Sequence, residues 1–130
     1  MENQEISFDS AYEMICDTGN QKVVDEGMEA MKKLADKGDM HAAAVYGSAC
    51  SLEYIGNYDL ELCKKYLEMA VKAEDPEGMY RMGGMMLHGE APFDEDKITG
   101  MWLMNKAAEA GHDAAISYLM VRDRLKYLNR

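Results

Sequence analysis

Apolar positions recur at helical spacing along this chain, as at Met79, Met82 and Met86, and turn-forming residues interrupt them at intervals. Ala, Met, Leu, Glu and Lys dominate the stretches between the turns, and all five are good helix formers. Alternating runs of β-branched and aromatic residues, which would indicate strands, are absent from the sequence. The pattern therefore predicts an all-α protein of about seven helices, over 7–18, 22–36, 40–54, 59–73, 77–88, 95–110 and 113–128.

The helices repeat in pairs. A small-residue segment followed by a charged turn occurs at 34–38, 70–74 and 107–111, with offsets of 36 and 37 residues. A second register follows each turn: Ala44, Tyr80 and Ile116 are 36 residues apart. Because two registers agree over three copies, we interpret the chain as a helix-pair repeat.

The repeat predicts a single domain over 1–130. It divides into a helix pair at 7–36, a repeat at 40–74, a repeat at 77–111 and a C-terminal helix at 113–128. One helix pair cannot bury its own apolar face, so the pairs should stack on one another. Turn chemistry supports the boundaries: Asp59 and Pro76 suit helix starts, while Gly38 and Gly111 suit helix ends.

Small residues recur within the predicted helices. A glycine inside a helix costs about 1 kcal/mol relative to alanine, so repeated mid-helix glycines indicate that packing needs the space. We therefore expect helices to approach closely at Gly27, Ala30, Gly47, Cys63, Gly83, Gly84 and Gly100.

The second repeat resembles the Sel-one-like repeat, a relative of the tetratricopeptide repeat. Its helix A carries Gly83, and its helix B ends in Lys-Ala-Ala-Glu-Ala-Gly over 106–111, as the family pattern requires. The first repeat matches less fully, through Gly47, Asp59 and Ala70 among others, and the likeness spans about 22–120. The resemblance implies an α/α right-handed superhelix, or solenoid, that serves as an adaptor or scaffold without catalytic residues.

Two departures from the family pattern matter. The helix B aromatic of the family falls at Leu103, so Trp102 is either more exposed than that aromatic or sits on a locally shifted helix. Some secreted members carry a disulfide between helices A and B, which would correspond to Cys50 and Cys63 here. The other repeats lack such a pair, and we favour reduced cysteines packed in the core, Cys16 included.

The formal charge of −10 is unevenly distributed. Residues 1–40 and 41–95 each carry 10 acids against 4 bases, whereas 96–130 carry 4 against 6. An acidic body repels phosphate backbones, so we expect no nucleic-acid partner. The basic residues Arg122, Arg124, Lys126 and Arg130 suit the end of a final helix, where cations complement the helix dipole.

The start of the chain, Met-Glu-Asn-Gln-Glu, lacks the basic and apolar regions of a signal peptide, and no apolar run approaches the length of a membrane span. The three cysteines form no CxxC motif and no Cys/His pair at metal-ligand spacing. These features favour a cytoplasmic protein with no membrane association, no metal and no cofactor.

The titratable residues do not assemble into a catalytic set. His41, His88 and His112 are dispersed and favour surface or capping roles. Asp94, Glu95 and Asp96 favour a helix cap and a negative first turn over a cation site. We therefore predict that the chain is not an enzyme.

The candidate binding residues are of two kinds. Met79, Met82 and Met86 form a helical stripe, for which a soft core is the simpler interpretation and an adaptable groove the alternative. Aromatics in or near the loops suit either an interface or local packing, and they are Tyr54, Tyr58, Phe93 and Trp102.

Together these observations predict an adaptor that binds a protein or peptide, as a monomer or weak homodimer. The alternative is a small acidic inhibitor or immunity-type protein whose charge matches a basic partner such as a toxin or nuclease.

Overall fold

Seven α-helices and one short 3-10 turn make up residues 5–128, which are the residues that the computed structural model describes. The helices are α1 (Phe8–Cys16), α2 (Gln21–Asp36), α3 (Met40–Ala49), α4 (Leu60–Lys72), α5 (Pro76–His88), α6 (Lys97–Glu109) and α7 (Asp113–Leu128). The described part of the chain contains no strand, so the all-α prediction is confirmed. Residues 1–4, at the start of the segment considered for a signal peptide, and residues 129–130, which include Arg130 of the basic end, lie outside the described range.

The observed helices match the predicted ones closely, except for α3. It ends at Ala49 rather than near residue 54, and a 3-10 turn follows at Glu53–Ile55. That turn ends at Gly56, whose φ of 94° lies in the left-handed region where glycine is favoured.

Capping side chains begin the helices. The side chain of each capping residue accepts a hydrogen bond from the backbone N–H three residues on, and these residues are Ser7, Asn20, Asp39, Asp59, Asp75 and Asp96. Such a cap is worth about 1 kcal/mol. Asp59 and Asp96 thus act as predicted, and Pro76 occupies the first turn of α5.

Equivalent turns join one helix pair to the next. Gly38 and Gly111 adopt positive φ values of 109° and 90° there, as expected for helix ends. The equivalent residue between α4 and α5 is Glu74, which adopts a φ of 59° despite its side chain. A left-handed conformation costs a residue with a Cβ about 1 kcal/mol.

Each helix packs on the next one in the chain, and α3 also packs on α5. The core between them is apolar, and its largest fully buried side chains are Val24, Met28, Met31, Cys50, Cys63, Tyr66, Leu67 and Met104. The Tyr66 hydroxyl reaches the edge of the core and donates to Asp36 over 2.6 Å, which holds the pKa of that carboxyl below its usual range.

Glycines lie where paired helices meet. A methyl group at Gly83 of α5 would lie 2.9 Å from the carbonyl oxygen of Gly100 in α6. One at Gly47 of α3 would lie 3.1 Å from the backbone of α4, and one at Gly27 of α2 would lie 2.7 Å from Met14 of α1. Three of the predicted close approaches are therefore confirmed. Gly84 is different, because a methyl group there would meet nothing within 4 Å.

Candidate functional site

A large open groove crosses one face of the molecule, with a volume of about 1130 Å³. Helices α1, α3 and α5 form most of its wall, and the remaining lining residues are Thr18, Ser51, Leu52, Tyr54, Ile55, Glu90, Met104 of α6 and Tyr118 of α7. Open concave surfaces of this size are where proteins hold ligands or segments of partners.

The three helices present the same positions to the groove. Each contributes four residues at relative positions 0, 4, 7 and 8, which share one face of a helix. They are Phe8, Tyr12, Ile15 and Cys16 in α1, His41, Val45, Ser48 and Ala49 in α3, and Glu77, Arg81, Gly84 and Met85 in α5. Of the three, α3 and α5 pack against each other, and they display different side chains at the same relative positions.

Gly84 occupies the middle of the groove face of α5. It weakens its helix by about 1 kcal/mol relative to alanine, yet no neighbouring group requires it to be small. The sequence-based expectation of close helix packing at this residue is therefore wrong. The space left by its missing side chain belongs to the groove, and no neighbouring helix fills it.

Ser48 is the residue of α3 that corresponds to Gly84. Its hydroxyl oxygen is buried and is the side-chain polar atom without a hydrogen-bond partner among the described residues. A buried hydroxyl with no partner lowers stability, because no hydrogen bond compensates for its lost hydration. Two equivalent groove positions, Ser48 and Gly84, thus carry residues that lower stability.

The groove is acidic. Its lining contains four carboxylates, on Asp9, Glu13, Glu77 and Glu90, against the one guanidinium of Arg81, which leaves a formal charge of −3 with histidines counted as neutral. Arg81 is held by Glu77, whose Oε2 accepts from its Nε over 2.6 Å. The carboxylates of α1 have no such ion-pair partner among the described residues.

Glu77 also ties α7 to α5. The Ala115 N–H donates to Nδ1 of His112 over 3.2 Å, so Nε2 carries the hydrogen and donates to Glu77 Oε1 over 2.7 Å. The imidazole stacks on Tyr80, with ring centroids 4.6 Å apart. Burial raises the pKa of Glu77, but the hydrogen bonds from His112 and Arg81 outweigh it and hold the pKa below its usual range.

The histidines therefore occupy surface and capping positions. His112 caps α7, in the place that Asp39 and Asp75 take in α3 and α5. His41 is exposed, contacts Phe8 with the two rings tilted by 31°, and lies 3.6 Å from the Asp75 carboxylate. Among the residues that the structure describes, no cluster of His, Cys, Asp and Glu side chains could hold a metal ion.

The predicted methionine stripe divides between core and edge. Met79 and Met82 are 3% and 5% exposed, so they belong to the core and not to a binding surface. Met86 is half-buried and packs against that core. Helix α5 packs against α3, α4 and α6, and none of the three methionines lines the groove.

The predicted aromatics differ widely in exposure. Tyr54 is 70% exposed and lines the groove, while Tyr58 is 49% exposed but lies outside it. Phe93 is only 7% exposed, which contradicts its role as an exposed anchor. Trp102 is 58% exposed on α6, where Lys106 lies over its ring, and the neighbouring Leu103 fills the core position. Of the two alternatives for Trp102, greater exposure is confirmed.

All three cysteines are free thiols, so Cys50 and Cys63 do not form the disulfide that the resemblance to secreted Sel-one-like repeats raised as an alternative. Cys50 and Cys63 are buried, and burial raises the pKa of Cys50 to about 11 and that of Cys63 to about 12. Cys16 is exposed and lines the groove, so the prediction that it lies in the core is wrong.

Sequence reasoning missed most of the groove. The sequence patterns described above do not single out Tyr12, Ser48 or Arg81, and they assign Gly84 to close helix packing. The pairs Gly47-Ser48 and Gly83-Gly84 are 36 residues apart, and the glycine that comes first in each pair lies close to the backbone of the neighbouring helix. The second residue of each pair, Ser48 or Gly84, lines the groove.

No family model, no curated protein and no solved structure matches the chain in the three comparisons made. No helix in the described part of the chain is both long enough and apolar enough to cross a bilayer.

Proposed function

We propose that the chain is a binding module that holds a segment of another protein in the groove. The observation that carries this proposal is Gly84, a residue that costs helix stability, has no packing reason and widens the groove. Sites that break a local rule of stability without a structural return are commonly functional. The unpartnered hydroxyl of Ser48, at the equivalent position of α3, supports the same proposal.

The proposed architecture is a short right-handed α/α superhelix of the Sel-one-like kind. Packing of each helix on the next, with α3 also against α5, supports such a stack. In this arrangement the odd-numbered helices line the inner face, and a partner would contact several repeats at once. We propose a non-enzymatic adaptor or scaffold role for it.

A second candidate is an acidic inhibitor or immunity-type protein. The charge of the groove lining favours this role, because complementary charge accelerates encounter with a basic partner. The two roles differ in consequence: an inhibitor abolishes an activity of its partner on binding, whereas an adaptor leaves that activity intact.

Affinity capture from the native host tests the proposal. Wild-type protein should retain a partner that the Gly84→Phe variant loses, because Gly84 lines the groove, an added Cβ there meets no atom within 4 Å, and the ring would occupy space that the partner needs. Ile98→Glu is the matched control, since Ile98 is 86% exposed on α6 and lies outside the groove. Equal capture by wild type and Gly84→Phe, with unchanged circular dichroism, would exclude the groove.

A further inference from the structure

Most of the net negative charge of the groove lies on α1, because Glu77 and Arg81 of α5 offset each other. Asp9 and Glu13 are four residues apart, so their carboxylates lie on the same face of the helix, about one turn from each other. Both are exposed, and Tyr12 lies on the same face with 48% of its surface exposed. Phe8 stacks on the Tyr12 ring with centroids 6.1 Å apart, so the two aromatic rings lie together beside the carboxylates.

This arrangement suits an ammonium or guanidinium group. A cation over the face of a tyrosine is attracted by the ring, and two flanking carboxylates add charge-assisted hydrogen bonds. Anionic segments would meet the opposite: two carboxylates on α1, Glu90 beyond α5, and an Arg81 whose Nε is already engaged by Glu77. The lining also contains His41 of α3 and His88 of α5, which the formal charge counts as neutral.

The rest of the groove is suited to apolar contact. Val45 of α3 and Tyr54 of the connecting segment line it, and the opening at Gly84 leaves room for a side chain. We propose that the occupant is a basic segment of a partner protein, with a Lys or Arg side chain between Asp9 and Glu13 and an apolar side chain over Gly84. This proposal rests on the function proposed above and specifies the chemistry of the partner.

Selection of random 12-residue peptides tests both proposals separately. The library is selected on wild-type protein after depletion on Gly84→Phe, and the recovered peptides are synthesised and their Kd values measured. We expect the peptides to be enriched in Lys and Arg together with apolar residues. Asp9→Asn combined with Glu13→Gln should weaken their binding about tenfold, and added salt should weaken wild-type binding more than variant binding.

The matched control is Glu61→Gln combined with Glu68→Gln. Both residues are exposed on α4 outside the groove, so this variant loses the same net charge and should change Kd less than about twofold. Equal weakening in the two double variants would overturn the proposal, because the overall charge and not the α1 site would then account for binding.

Three further outcomes distinguish the proposals. Peptides that need the open groove but are neutral or acidic would overturn the basic occupant and leave the groove function standing. A failure to recover peptides that discriminate wild type from Gly84→Phe would overturn both proposals. Self-association that depends on concentration and that Gly84→Phe abolishes would overturn the proposal of a separate partner protein. The occupant of the groove would then be the basic end of a second copy of the chain.

Discussion

Two adjacent glycines of α5 face different regions of the molecule. Gly83 lies in the contact between α5 and α6, where a methyl group on its Cα would lie 2.9 Å from the carbonyl oxygen of Gly100. Gly84 faces the groove, where such a methyl group meets nothing within 4 Å. The helix contact uses its glycine for packing, whereas the groove has a glycine that packing does not require. One residue type in one helix thus serves stability at one position and an open surface at the next.

The largest expected difference is in the free energy of unfolding when each of these two glycines is replaced by alanine. Gly83→Ala should lower the free energy of unfolding by about 2 kcal/mol, because the methyl group forces two backbones apart. Gly84→Ala should raise it by about 0.5–1 kcal/mol through helix propensity alone. Urea denaturation measures both values. If the two variants had equal stability, the distinction between the helix contact and the groove would be lost.

The edge of the groove at α7 depends on polar contacts instead of close packing. His112→Ala removes the cap of α7 and the hydrogen bond to Glu77, and should cost about 1–2 kcal/mol. His112→Asn keeps a capping side chain and should recover part of this loss. Thermal denaturation of the two variants would contradict the assignment of the cap if both melted like the wild type.

Acid should affect the groove edge through Glu77. Its folded pKa is below the unfolded value, so the folded state binds fewer protons and the stabilisation is present above the ordinary Glu pKa. It is lost as the pH falls through about 4.5 and below. Stability curves between pH 3 and 7 should therefore be shallower for Glu77→Gln, and identical slopes would show that Glu77 does not contribute.

The turns between helix pairs provide a smaller test. Glu74 has the left-handed backbone that Gly38 and Gly111 adopt in the equivalent turns. Glu74→Gly should raise the free energy of unfolding by about 0.5–1 kcal/mol, since glycine adopts this conformation without a Cβ clash. Its ion pair with Lys106 is exposed and offsets little. Lower stability in chemical denaturation would show that the turn is not strained.

Ser48 gives the smallest expected change in stability. Ser48→Ala removes an unpartnered buried hydroxyl and should raise the free energy of unfolding by about 0.5 kcal/mol. If the hydroxyl serves a bound segment, partner affinity should fall in the same variant. A variant that is more stable and binds equally well would show that the Ser48 hydroxyl does not contribute to partner binding.

The sequence predicted the helices better than the groove because the two depend on different physics. Helix boundaries follow from local capping and turn residues such as Asp59 and Gly38, whose effects act within a few positions. Whether Met79 faces the core or a surface depends on which helices pack around α5, and periodicity alone shows only that one face is apolar. Met79 and Phe93 were therefore placed among candidate binding residues, although both are buried.

To predict the groove residues, one must also know which positions of neighbouring helices lie side by side. Ser48 and Gly84 are ordinary residues in sequence, and neither has an apolar or charged side chain that would draw attention to it. Their significance comes from lying at equivalent positions on neighbouring helices that face one opening. The 36-residue offset contained this information, but only the packing of α3 against α5 shows which of two adjacent residues faces the groove.

The most direct test of a binding groove is the amide chemical-shift footprint of a bound partner segment on the isotopically labelled protein. Binding in the groove predicts that the largest changes fall on Tyr12, Val45, Ser48 and Gly84, on three helices that are distant in sequence. Changes centred on Ile98 and Trp102, the exposed apolar residues of α6, would place the binding surface elsewhere and contradict the proposal.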